Sequence, residues 1–263
     1  MSRPVVALLT DFGSRDHYVG AMKGVLLSRC PDAVLVELSH EIPAHDVLTG
    51  SLELGACYQH FPAGTVFLVV VDPGVGSARR GIAAEAGAFK FVAPDNGVLT
   101  SVFAETPPRK VVSLTERKYT RPTISKTFEG RDRFAPVAAW LAKGVDVTAM
   151  GTAVHDFVTL SIPQAIESSG QVDGRVLRVD RFGNLVTNIP RAMLDRMATG
   201  YRIQVLVGEQ TVESVVDTYA GVAAGETCVL VGSTGFLEVA VNGGRASDRL
   251  AADVGTSVRV VRL

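Results

Sequence analysis

A rhythm near the amino terminus constrains this chain more than any single residue. Three short runs, Val5 to Leu9, Val34 to Leu38 and Thr65 to Val71, are β-branched or Leu-rich and nearly continuously apolar. Strands buried on both faces read this way, because neither side of their sheet meets water. Between them, over Tyr18 to Ser28 and Val47 to Gln59, apolar residues recur at helical spacing. Strand, helix, strand, helix in this order predicts a mostly parallel sheet flanked by helices, an α/β fold. A further helix is expected over about Phe134 to Ala142.

The pattern changes across Ser161 to Gly170, a stretch carrying Pro163, Ser168, Ser169 and Gly170. Beyond it short strands follow at close intervals: Gly174 to Val179, Tyr201 to Val207, Thr227 to Val231, Phe236 to Val241 and Ser257 to Val261. Turn residues such as Gly183-Asn184 and Asn242-Gly243-Gly244 separate them. This half reads as a smaller β-barrel or sandwich. The expected division is therefore an α/β domain over 1–165 and a β-rich domain over 172–263, with no internal repeat. A length of 263 residues accommodates both, and 47% hydrophobic residues supply their cores.

Charge and cysteine content narrow the function. A net charge of −1 with no dense Lys/Arg run gives no electrostatic footprint for nucleic acid or an anionic membrane. Cys30, Cys57 and Cys228 lie far apart and match neither a metal spacing nor a disulfide framework, which suits a reducing cytoplasm. Val5 to Leu9 is too short for a signal core, and no apolar run approaches the roughly 18 to 20 residues that span a bilayer. A cytoplasmic protein acting on a small molecule is the expectation.

Three polar clusters fall just past predicted strands or at a helix entrance, where open parallel sheets bind ligands. After the first strand comes Thr10-Asp11-Phe12-Gly13. Asp11 either accepts two hydrogen bonds from a ribose diol or caps the helix beginning near Tyr18. After the Thr65 to Val71 run comes Asp72-Pro73-Gly74-Val75-Gly76-Ser77-Ala78-Arg79-Arg80. Its two glycines resemble a phosphate loop only weakly, for it lacks both a Gly-Lys-Ser/Thr ending and a full Gly-x-Gly-x-x-Gly. A carboxylate and a guanidinium seven residues apart across a tight loop can face one site, orient a water and stabilise hydroxide. The alternative is a plain loop salt bridge with Arg80 in solvent. The third cluster, Phe128-Glu129-Gly130-Arg131-Asp132-Arg133-Phe134, is either a working loop or a solvated helix start. His17, His40, His45, His60 and His155 form no metal spacing.

In order along the chain, these stretches resemble one family. They are Leu8-Leu9-Thr10-Asp11-Phe12-Gly13, Ser39-His40-Glu41-Ile42-Pro43, Val71-Asp72-Pro73-Gly74-Val75-Gly76, Ala93-Pro94-Asp95-Asn96-Gly97 and Phe128 to Pro136. In the second half come Asp180-Arg181-Phe182-Gly183-Asn184-Leu185-Val186-Thr187-Asn188-Ile189, Gly232-Ser233-Thr234-Gly235 and Ala240-Val241-Asn242-Gly243-Gly244. The chain is identified as a member of the S-adenosylmethionine hydroxide adenosyltransferases, water-using relatives of the adenosyl-halide-forming enzymes. The resemblance implies hydrolysis of S-adenosyl-L-methionine to adenosine and L-methionine without a cofactor. It also implies a homotrimer, with substrate held where the first domain of one subunit meets the second domain of its neighbour.

By position, the resemblance gives Asp11 to the ribose hydroxyls and places His45 where relatives often carry an aromatic residue. It gives Phe182, Asn184 and Tyr219 to the adenine, with backbone groups near Asn242 and Gly243 completing that pocket. Asp180 falls to the methionine ammonium and Ser233 to its carboxylate. Water-using members share an Asp, an Arg seven residues on, and a distant His. Asp72 and Arg79 fit the first two, but the family's Phe-His-Gly-Arg-Asp reads Phe128-Glu129-Gly130-Arg131-Asp132, so Glu129 occupies the His position.

The implied step is in-line attack on the ribose 5′ carbon, with methionine leaving as a neutral thioether. A sulfonium is already an activated leaving group, so no metal is required. The nucleophile must sit at about 3 to 3.5 Å in line with the carbon–sulfur bond. A dry pocket favours it, because opposite charges annul each other as hydroxide adds. On this view Arg79 stabilises the hydroxide and Asp72 accepts the proton. Glu129 either joins Asp72 around Arg79, with hydrolysis retained, or swings out to solvent. The rival readings are an adenosyl-halide-forming enzyme, whose relatives lack that Asp and Arg and tend to carry a hydroxyl residue at the place of Gly130, and a binding protein without turnover. A nicotinamide-dependent oxidoreductase finds no glycine fingerprint after the first strand.

Overall fold

The computed structural model describes residues 3–263. It divides into two compact units, one ending at Ser161 and the other running Ile162–Leu263. No helix among the described residues is long and apolar enough to cross a membrane.

In the first unit β1 (Val5–Thr10), α1 (Tyr18–Arg29), β2 (Val34–Ser39), α2 (Val47–Cys57) and β3 (Val66–Val70) follow the expected alternation. Then come β4 (Gly81–Ala86), β5 (Phe89–Pro94), α3 (Thr100–Glu105), β6 (Pro108–Ser113), α4 (Ala135–Ala142) and the short β7 (Thr152–Ala153). The sheet order is β2-β1-β3-β5-β4-β6-β7. Pairing is parallel from β2 through β1 and β3 to β5, and antiparallel from β5 onward. The parallel half matches the apolar runs, and an antiparallel extension completes the sheet.

The continuous apolar runs have a direct cause. Strand side chains alternate between faces, and both faces of this sheet are covered. Val6, Leu8, Val66, Leu68 and Val70 pack with Met22 and Leu26 of α1 and the alanines of α4. Ala7, Leu9, Phe67, Val69 and Val71 pack with Leu54 of α2 and Val98 and Val102 on the opposite layer. Each fully buried Leu or Val contributes about 1.5–3 kcal/mol. The same alternation fixes the register Val6↔Val66 to Thr10↔Val70. That register sets Asp11 and Asp72 side by side, just past the carboxyl ends of adjacent parallel strands.

The second unit contains β8 (Ile166–Ser168), β9 (Gln171–Val179), β10 (Leu185–Pro190), α5 (Arg191–Ala198), β11 (Ile203–Val207), β12 (Gln210–Val212), β13 (Thr227–Val231), β14 (Phe236–Val241), α6 (Ala246–Arg249) and β15 (Ser257–Arg262). Its antiparallel strands run in the order β12-β11-β15-β9-β10-β14-β13, with β8 added beside β9. The sheet wraps a core including Val172, Val176, Leu185, Ile189, Val205, Leu237 and Val258, a barrel-like arrangement. Strand β8 lies in the stretch that composition marks as a boundary; Gly170, at φ +74°, makes the turn that folds it back on β9.

Candidate active site

Two glycines assemble the catalytic candidates of the first unit. After β3 the chain turns through Asp72 to Arg80. Gly76 sits at φ +77°, and a Cβ there would lie 2.5 Å from the Lys126 carbonyl oxygen, so only glycine lets the loop dock on that backbone. This contact brings the loop against the segment that carries Glu129. The second is Gly130. The Ala135 N–H donates to the Gly130 carbonyl five residues back, making Gly130–Phe134 a single π-helical turn ahead of α4. Such turns are frequent at functional sites. A Cβ on Gly130 would meet Met22 Sδ at 3.2 Å, Val70 Cγ1 at 3.5 Å and Phe12 Cζ at 3.7 Å.

The result is an ion triad. Arg79 donates to both oxygens of Asp72, from Nε to Oδ1 at 2.9 Å and from Nη2 to Oδ2. Its Nη1 stands 2.7 Å from Glu129 Oε2. Arg133 Nη2 approaches Glu129 Oε1 at 3.6 Å, and the Arg79 guanidinium lies over the Phe134 ring at 5.3 Å. Side-chain exposure is 10% for Arg79, 4% for Asp72 and 9% for Glu129, so these charges are paired away from bulk water. Burial by itself would lower the Arg79 pKa, but the hydrogen bonds and charges of Asp72 and Glu129 outweigh it and hold the guanidinium protonated.

A pocket of about 210 Å³ opens against this triad. Asp11, His45, Asp72 and Glu129 line it together with Phe12, Phe128 and Gly130, whereas Arg79 stands behind the two carboxylates. Arg79 clamps Asp72 and Glu129, and these two carboxylates meet the cavity. Asp11 does not cap α1, whose N-cap is His17 with no side-chain bond. Instead its Oδ2 accepts the His45 N–H at 2.9 Å, holding His45 at φ +68° on the rim. Glu129 does not swing into solvent. Arg80 takes the plain structural part, pairing with Asp95 and Asp156.

At and behind the cavity wall stand residues that carried no role in the sequence. Phe12, Tyr18 and Phe128 form an aromatic cluster with centroids 5.1 to 6.1 Å apart. Their signal was the aromatic flanking of Asp11 and Glu129. Asp132, 1% exposed, accepts from Arg131 Nε at 2.7 Å, Arg121 Nη1 at 3.2 Å and the Ser125 N–H at 2.8 Å. Burial would raise its pKa, but Arg131, the Ser125 N–H and Arg121 bring it below the usual value. It ties down the segment that leads into Glu129.

The second-unit candidates sit on a rigid turn and its neighbours. Asp180 Oδ1 accepts the N–H groups of Phe182 and Asn184 at 2.8 and 2.9 Å, and its Oδ2 accepts from Asn184 Nδ2 at 2.9 Å. Gly183, at φ +84°, closes the turn and leaves Phe182 73% exposed. Tyr219 donates to Glu238 Oε1 at 2.6 Å, and both groups feel the Asp180 charge. Burial pushes the Glu238 pKa up, and Asp180 adds to this, against the hydrogen bond from Tyr219 and the charge of Arg178. Ser233 is exposed in the turn before β14. Asn242 and Gly243 follow β14, Asn242 Nδ2 donating to the Val222 carbonyl at 2.8 Å and Gly243 adopting φ +71°. Glu238 went unnoticed in the sequence, because a lone Glu in an apolar strand looks like an outward-facing residue.

Comparisons with known proteins show the family. The model of the SAM hydroxide adenosyltransferase N-terminal domain matches residues 6–151 and that of the C-terminal domain residues 174–259. A protein of Salinispora tropica named (R)-S-adenosyl-L-methionine hydrolase is 39% identical over 98% of this chain and 97% of its own. A protein of Actinoplanes sp. named fluorinase is 30% identical over 91% of each chain. The crystal structure of an uncharacterized conserved protein from Thermotoga maritima superposes with a TM-score of 0.93 at 36% identity, over 98% of this chain and 100% of that one. With both family models matched in order and relatives at this identity across nearly the whole length, the chain belongs to the SAM hydroxide adenosyltransferase family.

Proposed function

We propose that this protein hydrolyses S-adenosyl-L-methionine to adenosine and L-methionine. Relatives named for the (R) sulfonium epimer make that epimer the substrate to test first. The observation that carries the reading is the lining of the first-unit pocket: three carboxylates, Asp11, Asp72 and Glu129, line it, with Arg79 clamped behind two of them. A cationic sulfonium is drawn to such a wall, whereas a halide ion is repelled by it. That favours water over halide as the nucleophile.

In the proposed step a water accepts the guidance of Asp72. Each carboxylate oxygen can accept two hydrogen bonds, so Asp72 retains acceptor capacity although Arg79 occupies one site on each oxygen. The water oxygen bonds to the 5′ carbon, the carbon–sulfur bond breaks with its electron pair going to sulfur, and the water proton passes to Asp72. Arg79 holds Asp72 and Glu129 in fixed orientation, so no reorganisation is needed as charge moves. Asp11 is assigned to the ribose hydroxyls, with His45 on the rim beside it. Phe182, Asn184, Tyr219, Asn242 and Gly243 are assigned to the adenine, and Asp180 and Ser233 to the amino-acid end. The assembly assigned is a homotrimer acting in the cytoplasm; support for the trimer is the resemblance together with the exposed rings of Phe182 and Tyr219, at 73% and 42%.

The test is incubation of the purified protein with each epimer of S-adenosyl-L-methionine in chloride-free buffer, nucleosides being followed by chromatography. Adenosine formed by the wild type and not by Asp72→Ala is the expected result. Intact substrate that binds without turnover would replace the hydrolase with a binding protein, and 5′-chloro-5′-deoxyadenosine on adding chloride would replace it with a halide-using enzyme.

A further inference from the structure

Three arginines line a second cavity of the same unit, separate from the acidic pocket although Arg131 lies over the Phe128 ring that lines the latter. It has a volume of about 360 Å³, and one wall is the face of α1 bearing Gly24, Ser28 and Arg29. Arg121 and Arg131 form the other wall. By the same measure a single water needs only about 10–15 Å³, so the cavity has room for a polyatomic ligand.

The charges do not balance within it. Asp132 accepts from both Arg131 and Arg121, so one carboxylate serves two guanidiniums. Arg29 has no such partner, and its Nε is buried without a hydrogen bond among the described residues. A buried donor left unmatched is costly and calls for an explanation, an unseen ligand being one. Ser28 adds no competing donor, because its hydroxyl is committed to the Val25 carbonyl at 2.8 Å. Gly24 keeps the floor open, since a Cβ there would meet nothing within 4 Å.

We infer that this cavity binds a phosphate-bearing anion through Arg29, Arg121 and Arg131. Guanidinium groups match the paired oxygens of phosphate groups, and the unpaired Arg29 together with the N–H groups that Arg121 and Arg131 do not give to Asp132 suits an anion with more than one such group. No aromatic side chain lines the cavity, so recognition rests on the phosphate groups rather than on a stacked base. The acidic pocket of the proposed active site repels the same anion, which separates the two sites by charge.

Isothermal titration of the full-length protein with inorganic pyrophosphate tests this. Saturable binding is expected, weakening as salt is raised, with affinity at least tenfold lower in Arg29→Gln. Gly24→Glu is a second variant that keeps the helix, because glycine within α1 is its least favourable residue; it places a carboxylate among the arginines and is expected to abolish binding. Tripolyphosphate and ATP form separate arms: equal affinity is expected and assigns the site to phosphate groups, whereas ATP bound much more tightly than tripolyphosphate would overturn recognition by phosphate groups alone. Absence of saturable binding, or binding unchanged in both variants, overturns the inference.

Discussion

Each unit buries one glutamate that the fold does not need for packing, and the two are held in opposite ways. Glu129 of the first unit, 7% exposed, has the Arg79 guanidinium at 2.7 Å and Arg133 beyond it. Glu238 of the second, also 7% exposed, receives a phenolic O–H from Tyr219 and stands within the field of Asp180. A carboxylate clamped by a guanidinium at the edge of a cavity is fixed in direction, which suits it to act on a reacting centre. A carboxylate buried beside a phenol orients that ring, and the ring is what the surface presents. The first cluster is built for chemistry and the second for recognition, and this contrast can be attacked from either side.

The largest effect is expected where the chemistry is concentrated. Asp72→Asn keeps the size of the side chain but removes the proton acceptor, and turnover should fall by about 10³ while KM stays within a few-fold. A rise in KM with kcat preserved would move Asp72 to the recognition side and dissolve the contrast. Glu129→Gln should act more mildly, because Asp72 still holds Arg79 through two bonds; a loss of roughly tenfold, the worth of one charge-assisted contact, is expected. Glu129→His, which restores the residue more usual in the family, should leave turnover within about tenfold of the natural chain. A gain of several orders of magnitude would show instead that Glu129 cripples the triad.

The sequence made the chemistry side easier to read than the recognition side, and the reason lies in how each is built. Asp11 and Asp72 were legible because they end continuous apolar runs, and the pairing of those strands then sets them side by side. The contact between Arg79 and Glu129 was not derivable from spacing, since the two lie far apart in the chain and are brought together by the docking of Gly76 on Lys126. Strands β4 and β5 escaped notice because Gly81–Ala86 and Phe89–Pro94 contain four alanines and a lysine, residues with little strand preference. Strand β10 hid for another reason. Thr187 and Asn188 are buried in mid-strand, bonded to the Leu237 and Pro163 carbonyls, and so interrupt the apolar alternation.

Phe182 sharpens the recognition side. A ring 73% exposed on a turn locked by Asp180 has little packing to lose, so Phe182→Ala should leave the unfolding free energy within about 0.5 kcal/mol of the wild type. Its stacking contribution is worth about 0.5–1.5 kcal/mol, and KM should rise by a corresponding few-fold to tenfold with kcat unchanged. Steady-state kinetics over substrate concentrations from well below KM to saturation separate the two parameters. A fall in kcat alone would mean that the ring acts on the reacting geometry, and the line between the two clusters would blur.

The smallest effect concerns Glu238 and is read as a dependence on pH rather than as a single value. Burial raises its pKa in the folded protein, so between the ordinary carboxylate value and the folded value the native state holds more protons than the unfolded one. Stability then falls as pH rises through that window, because the unfolded chain releases the proton more readily. Below the ordinary value both states are protonated and the penalty vanishes. Glu238→Gln keeps an oxygen for the Tyr219 O–H and removes the charge, so its stability relative to wild type should be unchanged near pH 4 and higher at pH 7. Denaturant unfolding at the two pH values measures the difference. If the advantage were instead largest at acid pH, Glu238 would be stabilised as an anion in the folded state. The two buried glutamates would then no longer divide the molecule into a reacting side and a recognising side.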